Sequence, residues 1–365
     1  ESKELAPLIL PEVNVDNLET LYEDSIEFLK ALPVVPNTSM NWLAFSEGKL
    51  YQLQLYNSEY SFSSLSDWNY GTFKELLNSN YFVDLSFDDV VKDKGGVRQI
   101  SPEEFEEEEK EVAKKLSIAK LPVVNKAEEV YIVKDMELSK YPHNLFLNEK
   151  GDFIAKHVPV TNVLSTEWLL QTNGAATLPV AYSKSIWIPV ESGDIELNWL
   201  YSGIENTLQE NAFEVFKQVE LAKPLSSDIN IVCSHGAKNI SEVQIVFQED
   251  KATYNLNTVI GKGKILVFFV CYSGSMKTEF FRNNVTSMVK RFIAQGYEAV
   301  VAPYWALDVT IPRYWLPEFL KSLDKGLTIS QAMFNANMKV YEKYPTPAAW
   351  ACLHLYGNPN LKTNA

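Results

Sequence analysis

His235 and Cys271 are the two side chains of this sequence best placed to perform covalent chemistry together. Each follows an apolar segment typical of a buried strand, with INIV at 229–232 before His235 and ILVFFV at 265–270 before Cys271. Functional side chains of parallel α/β sheets gather just beyond the carboxyl ends of strands, so we expect the two to lie close together. A thiolate is the nucleophile of cysteine peptidases, and a nearby imidazole carries the proton. The pair predicts a catalytic dyad in which Cys271 attacks and His235 transfers the proton.

Gly236 follows the histidine directly. A residue without a Cβ lets backbone N–H groups approach a substrate carbonyl closely. The amides of Gly236 and Cys271 are therefore candidate donors of an oxyanion hole.

Each of these residues also has a structural explanation when it is taken alone. A histidine at a strand end is often hydrogen-bonded within the fold, and a cysteine after apolar residues is often a small buried side chain. Cys233 would share a strand face with His235, so a zinc site of Cys233, His235 and Cys271 is a further alternative. The sequence has no CxxC motif or second close pair of ligands, and we predict no metal and no other cofactor. The joint pattern favours the catalytic interpretation.

The remaining cysteine and histidines receive no catalytic role. Cys352 is expected in the core of a closing strand, and three cysteines in all are too few for a disulfide framework. None of the other histidines is a catalytic candidate: these are His143, His157 and His354.

Composition narrows the classes of partner. The formal net charge of −14 gives no attraction for phosphate backbones or anionic lipid surfaces, so we predict no direct binding to nucleic acid or membranes. The longest apolar runs, such as 265–270, are far shorter than the ~20 residues that a bilayer-spanning helix needs. The acidic N-terminus lacks the basic and apolar regions of a secretory signal, and we predict a cytoplasmic protein.

Strand-like and helix-like segments alternate through the second half of the chain, as expected of a parallel α/β sheet. Thr328 and Gln331 predict a capping box at the start of one helix. Strands are predicted at 186–190, 229–232, 265–270, 299–304 and 349–357, and helices at 196–209 and 279–294.

The first part of the chain is rich in aromatic residues and carries no chemical motif. Alternation of apolar and polar residues near 49–56 predicts strands, and the segment 92–96 is typical of a linker. Ser101 with Glu104 predicts a capped helix, and 130–133 is typical of a buried strand.

The combined pattern resembles the caspase superfamily and, in detail, the CHAT family of caspase-like domains. The similarity is strongest after the strand at 299–304, where Trp305 and Asp308 form a Trp-x-hydrophobic-Asp motif before two helices separated by Lys-Gly and a closing strand. It extends upstream through SHG and CYSG and, more weakly, to 130–147. The resemblance covers about residues 125–365.

This resemblance implies a caspase-like three-layer α/β fold, with a mostly parallel sheet flanked by helices, preceded by an N-terminal α+β region. It implies a cysteine endopeptidase that cleaves a protein substrate through Cys271 and His235, under the control of a protein partner or of proteolysis, in a prokaryotic defence or cell-death setting. The caspase pentapeptide around the nucleophile is absent, so a preference for Asp at the scissile bond is not implied. No tetratricopeptide period is visible.

The domain organisation follows the extent of the resemblance. Residues 1–124 form a region of unknown role with regulation or partner binding as its expected task, 125–176 the leading segment, and 177–365 the catalytic part. The loose, small-residue stretch 172–176 is the best internal boundary.

Carboxylates near the predicted catalytic edge indicate a basic residue at the scissile bond. Resemblance to separases and similar enzymes places Asp308 and Trp305 beside the substrate pocket, and Glu191 and Asp194 follow the strand at 186–190. Three carboxylates would favour Lys or Arg by ion pairing. The alternative is that Asp308 only caps the helix that follows it.

Two other functions remain open from the sequence. The chain could be a catalytically inactive scaffold that keeps a caspase-like fold as an interaction surface. It could also be a cysteine hydrolase of small molecules.

Overall fold

The structure is a computed structural model, and it describes most of the chain between residues 36 and 364. The boundary predicted at 172–176 lies outside the described residues. The residues that the structure does not describe are 1–35, 66–67, 80, 86, 88–89, 94–95, 124–125, 136, 167, 170–176, 237–243, 247–252, 274–276, 280–283, 287 and 365.

The described residues form nineteen strands and eight α-helices. The strands are β1 (Thr38–Ser46), β2 (Lys49–Tyr56), β3 (Glu59–Leu65), β4 (Val90–Asp93), β5 (Gly96–Gln99), β6 (Glu129–Lys134), β7 (Val160–Asn162), β8 (Thr177–Leu178), β9 (Lys184–Trp187), β10 (Glu214–Phe216), β11 (Ile229–Ser234), β12 (Gln244–Val246), β13 (Thr253–Asn255), β14 (Ile265–Val270), β15 (Lys277–Glu279), β16 (Asn284–Thr286), β17 (Ala299–Pro303), β18 (Leu353–Gly357) and β19 (Lys362–Thr363). The helices are α1 (Tyr70–Asn78), α2 (Tyr81–Asp84), α3 (Pro102–Lys115), α4 (Ile195–Glu210), α5 (Met288–Ala294), α6 (Ile311–Asp324), α7 (Ile329–Tyr341) and α8 (Pro347–Trp350).

Eleven of the described strands form one mixed, mostly parallel sheet in the order β10-β9-β11-β14-β17-β18-β7-β6-β1-β2-β3. Strands β9, β11, β14 and β17 run parallel to one another, and β18 is antiparallel to β17. Every residue of β11 and β14 is buried, which explains why β14 is wholly apolar and β11 mostly so, since strands covered on both faces lose the alternation of half-exposed ones. Helix α5 packs against β17, and α7 packs against β18 and β7. The predicted α/β class is confirmed.

Most elements around the predicted site agree with the sequence. The predicted strand at 265–270 is β14, the helix predicted at 196–209 is α4, and the capping box predicted for Thr328 and Gln331 begins α7. The strand predicted at 186–190 already ends at Trp187, because Pro189 has no N–H to donate to a strand ladder.

Two predicted helical or loop segments are wrong. The helix predicted at 279–294 covers only α5, because β15 and β16 form a hairpin in the segment before it, where Thr278, Val285 and Thr286 favour extended backbone. The linker predicted at 92–96 overlaps a second hairpin, in which β4 pairs with β5.

The N-terminal strands extend the central sheet across the boundary predicted at residue 124. Strand β1 pairs in parallel with β6, and β2 and β3 follow as an antiparallel meander. Helix α3 begins at the predicted capping box of Ser101 and Glu104. No helix among the described residues is long and apolar enough to cross a membrane.

Candidate active site

The sheet brings His235 and Cys271 side by side. Strands β11 and β14 are parallel neighbours with Ser234 in register with Val270, so His235 and Cys271 are the next residues at the two carboxyl ends. Residues in register on parallel strands direct their side chains to the same face. The two residues predicted as a dyad therefore share one face of one sheet edge.

Gly236 is packed against the nucleophile candidate. A Cβ built on Gly236 would overlap the Cys271 carbonyl oxygen and lie 2.8 Å from its carbonyl carbon and 3.1 Å from its nitrogen. No other residue type fits this contact without a backbone shift. The amides of Gly236 and Cys271, predicted as oxyanion donors, both act on the Cys271 sulfur in the sense that lowers its pKa.

Asp194 holds the imidazole from the other side. Its Oδ2 lies 2.8 Å from His235 Nε2, while its Oδ1 accepts a hydrogen bond of 3.0 Å from the Leu197 amide as the N-cap of α4. The carboxylate side chain is only 4% exposed. Because the helix start fixes the carboxylate, the carboxylate in turn fixes the orientation of His235.

The sequence predicted Asp194 as a residue of the substrate pocket, and this stays a prediction; in the structure its carboxylate contacts His235 and the start of α4. Both oxygens are occupied, one by the helix and one by the imidazole. The signal for this role was an N-cap residue just after a strand of the same sheet, but its direction toward β11 depends on tertiary packing.

Glu196 is a second carboxylate on the same histidine. Its Oε2 lies 3.5 Å from His235 Nδ1, and its side chain is 49% exposed. No sequence signal identified this residue. His235 therefore has a carboxylate at each ring nitrogen, one buried and one half-exposed.

The Cys271 thiol is embedded in the backbone of the loop after β17. The Leu307 amide donates to Sγ at 3.4 Å, and Sγ lies 3.8 Å from the Leu307 carbonyl oxygen. Burial raises the pKa of the Cys271 thiol, the Leu307 amide opposes this rise, and the negative charge of Glu196 adds to it. The thiol therefore favours its protonated form.

His235 and Cys271 follow the ends of neighbouring strands, and among the described residues no hydrogen bond joins the imidazole to the thiol. His235 Nδ1 faces Glu196 at the distance of a weak ion pair. Hydrogen bonds of a catalytic site are often loose without substrate and tighten in the reacting complex. Pairing of His235 with Cys271 thus requires Nδ1 to exchange Glu196 for sulfur.

A sharp turn follows the candidate nucleophile. Tyr272 has a φ of 61°, a left-handed conformation that is uncommon for a residue with a bulky side chain. The turn is fixed because the Tyr272 amide donates to the Trp305 carbonyl at 3.1 Å and the Ser273 amide donates to Val270 at 3.2 Å. Strained backbone of this kind is concentrated at functional sites.

Trp305, Asp308 and Glu191 are the other residues predicted for the substrate pocket, and each has a different environment. The ring of Trp305 is completely buried and its Nε1 donates to the Ala348 carbonyl at 2.8 Å. Asp308 Oδ1 accepts from the amide and the hydroxyl of Thr310, at 2.8 and 2.5 Å, just before α6. Glu191 is exposed in the turn before α4, where its amide donates to Lys217. Trp305 therefore supports the loop from within, and Asp308 also forms the turn that starts α6.

The remaining sulfurs are buried. Cys233 and Cys352 are both fully buried, and burial raises the pKa of each thiol well above its ordinary value. Within the described ranges there is no group of three His, Cys, Asp or Glu side chains that could hold a metal ion.

Comparisons with known proteins identify the fold. Neither a family model nor a curated protein matches the sequence. Two crystal structures of the separase–securin complex of Saccharomyces cerevisiae match the structure, both at 11% identity. One has a TM-score of 0.56 over 95% of this chain and 31% of the matched chain, and the other 0.55 over 96% and 32%. The chain thus has the caspase-like fold of separase and spans about a third of the matched chains.

Proposed function

We propose that this chain is a cysteine endopeptidase in which Cys271, His235 and Asp194 form a catalytic triad. The observation that carries the proposal is the placement of His235 next to Cys271 on adjacent strand ends, with a buried carboxylate on its far nitrogen. Nucleophile, base and orienting group are the three parts of an activated nucleophile. The caspase-like fold shared with separase supports the same assignment.

We assign the proton positions from this arrangement as part of the proposal. Nε2 carries a hydrogen that it donates to Asp194, which leaves Nδ1 as the nitrogen that takes the thiol proton. Cys271 Sγ then forms a bond to the substrate carbonyl carbon, and the Gly236 and Cys271 amides donate to the oxyanion. The C–N bond breaks as Nδ1 returns its proton to the leaving amine. Water then hydrolyses the thioester. Nδ1 takes a proton from the water, the hydroxide bonds to the carbonyl carbon, the C–S bond breaks, and Nδ1 returns its proton to Cys271 Sγ.

Glu196 determines how this cycle begins. Its carboxylate faces Nδ1, the nitrogen that must serve Cys271, and its charge raises the pKa of the thiol. Both effects keep the resting thiol protonated. Since Glu196 is half-exposed, a bound substrate can displace it without opening the core.

The finer assignments are part of this proposal. We infer that the chain is a CHAT-type member of the caspase superfamily and that it cleaves a protein substrate without a cofactor. We also infer that it is cytoplasmic and acts in prokaryotic defence or cell death. The matched separase structures contain securin as a protein partner, and we infer that a regulatory partner also restrains this chain. Residues 1–124 are proposed to take part in that control, and residues 125–365 to carry the catalytic activity.

Asp308 and Glu191 are the proposed determinants of a Lys or Arg preference at the scissile bond. Asp308 lies one residue after Leu307, whose backbone contacts Cys271 Sγ, so its charge is near the reacting atoms. Profiling a peptide library with wild type and Asp308→Asn tests the assignment. The Asn side chain keeps an acceptor for Thr310 but removes the charge, so we expect the basic preference to weaken while the fold is retained. An apolar preference that is the same in both proteins would remove Asp308 from the specificity site.

The central test compares matched cysteine variants. Digestion of a protein library should be abolished in Cys271→Ala and retained in Cys233→Ala, because only the first changes the sulfur at the strand end. Circular dichroism should show both variants folded. Retained digestion in Cys271→Ala with loss in Cys233→Ala would overturn the assignment.

The same assay separates the two alternatives. Labelling of Cys271 by a thiol-reactive probe without digestion of any protein favours a small-molecule hydrolase. Absence of both labelling and digestion favours an inactive scaffold.

A further inference from the structure

A polar cavity lies between the starts of α3 and α6 and the segment that follows α7. Its volume is about 420 Å³, within the range of pockets that hold small ligands. Phe105 lines it from α3, Thr310 from just before α6, Arg313 and Tyr314 from α6, and Lys343 and Tyr344 from beyond α7. None of these residues belongs to the candidate triad.

The cavity is positively charged in an acidic protein. Arg313 and Lys343 line it and no carboxylate does, although the chain has 47 acidic and 33 basic residues. Neither cation forms an ion pair with a described residue, whereas Lys321 and Lys339 on the adjoining helices are each paired with a glutamate. Two unpaired cations facing one cavity are suited to an anion.

Aromatic rings form the other walls. The Tyr314 and Tyr344 rings are 5.9 Å apart and almost perpendicular, and Phe105 lies 6.1 Å from Tyr344. The Arg313 guanidinium is 5.7 Å from the Tyr314 ring, and Lys343 Nζ is 6.0 Å from the Tyr344 ring. Each cation therefore lies beside one of two adjoining tyrosine rings, as a ligand with both a planar group and a negative charge requires.

The start of α6 also contributes positive electrostatic potential near the cavity. The Thr310 hydroxyl is bound to Asp308, and no side chain caps the first turn of the helix. The partial positive charge at the start of α6 therefore lies beside the cavity at Thr310, where the Asp308 carboxylate offsets part of it.

We propose that this cavity binds an organic anion of nucleotide size, with its planar ring against the tyrosines and its phosphate on Arg313 and Lys343. The binding site does not depend on the proposed peptidase activity. It is connected to the candidate nucleophile by a short stretch of chain, because Thr310 lines the cavity, binds Asp308, and follows Leu307, which contacts Cys271 Sγ. Occupancy therefore changes the reactivity of Cys271.

Isothermal titration calorimetry with ADP, GDP and UDP tests the binding. At least one should bind with one site per chain, and pyrophosphate and the matching nucleoside should each bind at least roughly tenfold more weakly, since each lacks one half of the recognised chemistry. Arg313→Gln and Lys343→Gln should each weaken binding about tenfold, the usual scale of a charge-assisted hydrogen bond. Lys321→Gln and Lys339→Gln, on neighbouring surface, should bind as wild type does.

Three results would overturn the site. These are no binding of any of the nucleotides up to about 1 mM, equal binding by wild type and Arg313→Gln, or equal affinity for pyrophosphate and nucleotide. The rate of Cys271 alkylation by iodoacetamide, with and without saturating nucleotide, tests the connection. An unchanged rate in a protein that binds the nucleotide would refute the link to Cys271.

Discussion

The backbone of Gly236 lies directly on the backbone of Cys271, so closely that a Cβ on Gly236 would overlap the Cys271 carbonyl oxygen. The turn after β11 and the turn after β14 are therefore positioned by one contact. The oxyanion donors proposed for both residues depend on it, because a shift of either turn moves its amide away from the sulfur.

Gly236→Ala should reduce proteolysis by about a hundredfold or more, since misplacing an oxyanion donor typically costs 10²–10³ in rate. We also expect the variant to be destabilised by about 1–3 kcal/mol, the usual cost of overpacking. Peptide turnover and urea unfolding measure the two effects. Gly203→Ala is the control, because a Cβ there meets only the Arg313 side chain, 3.6 Å away, and alanine favours the helix. Full activity in Gly236→Ala would refute a catalytic role for this contact.

Asp194→Asn should lower kcat by about 10³–10⁴ with little change in stability. Asparagine can still cap α4, but its amide can present an N–H to Nε2 and so favour the wrong tautomer of His235. Steady-state kinetics should show a fall in kcat with a nearly constant KM. Asp194→Ala provides the comparison, because it should lose about 1 kcal/mol of stability as well by removing the cap. A change confined to KM in Asp194→Asn would instead place the carboxylate in the substrate pocket, as the sequence suggested.

The sequence predicted the strand ends of the site because their signal is local. Strand β14 is wholly apolar and β11 is mostly so, and each is followed at once by its functional residue. The partner of His235 was not predictable in the same way. Asp194 carries the local signal of an N-cap, but its second contact depends on how α4 is set against β11.

The pairing of the N-terminal strands β1–β3 with the central sheet was likewise not predictable from local sequence. The sequence predicted strands near 49–56 but not β1. The pairing of β1 with β6 joins residues about 90 positions apart, as in the bond from Asn41 to the Tyr131 carbonyl. Register of this kind is set by burial on both faces rather than by neighbouring residues. The region before residue 125 was therefore predicted as separate, although its strands continue the central sheet.

Glu196→Gln should shift the pH profile of Cys271 alkylation to lower pH. Glu196 raises the pKa of the thiol, so its neutral replacement lowers that pKa and provides more thiolate at a given pH. Iodoacetamide rates measured across the pH range test this. Glu210→Gln, which removes an exposed carboxylate at the far end of α4, should leave the profile unchanged. A shift to higher pH in Glu196→Gln would show that the carboxylate assists thiolate formation through the imidazolium.

His354→Phe should make folding stability less sensitive to acid. His354 is fully buried, its ring lies 4.5 Å from that of His143, and burial together with Lys134 holds its pKa well below the ordinary value. The folded protein therefore keeps His354 neutral while the unfolded chain binds a proton below about pH 6.5, so stability falls as the pH falls through that value. The loss approaches about 1.4 kcal/mol per pH unit for each such histidine, and His143 retains its own share in the variant.

Urea unfolding between about pH 6.5 and 5.5 measures how steeply the free energy of unfolding changes with pH, and the prediction concerns this slope. Lys134, whose pKa is lowered to about 7, is mostly protonated in both states within this window and contributes little to the slope. Buried carboxyl groups titrate alike in both proteins, so they cancel in the comparison. Phenylalanine keeps a ring among the aromatic neighbours of His354, and His157→Gln, at an exposed site, should retain the wild-type slope. Equal slopes in wild type and His354→Phe would mean that His354 already takes up its proton in the folded state.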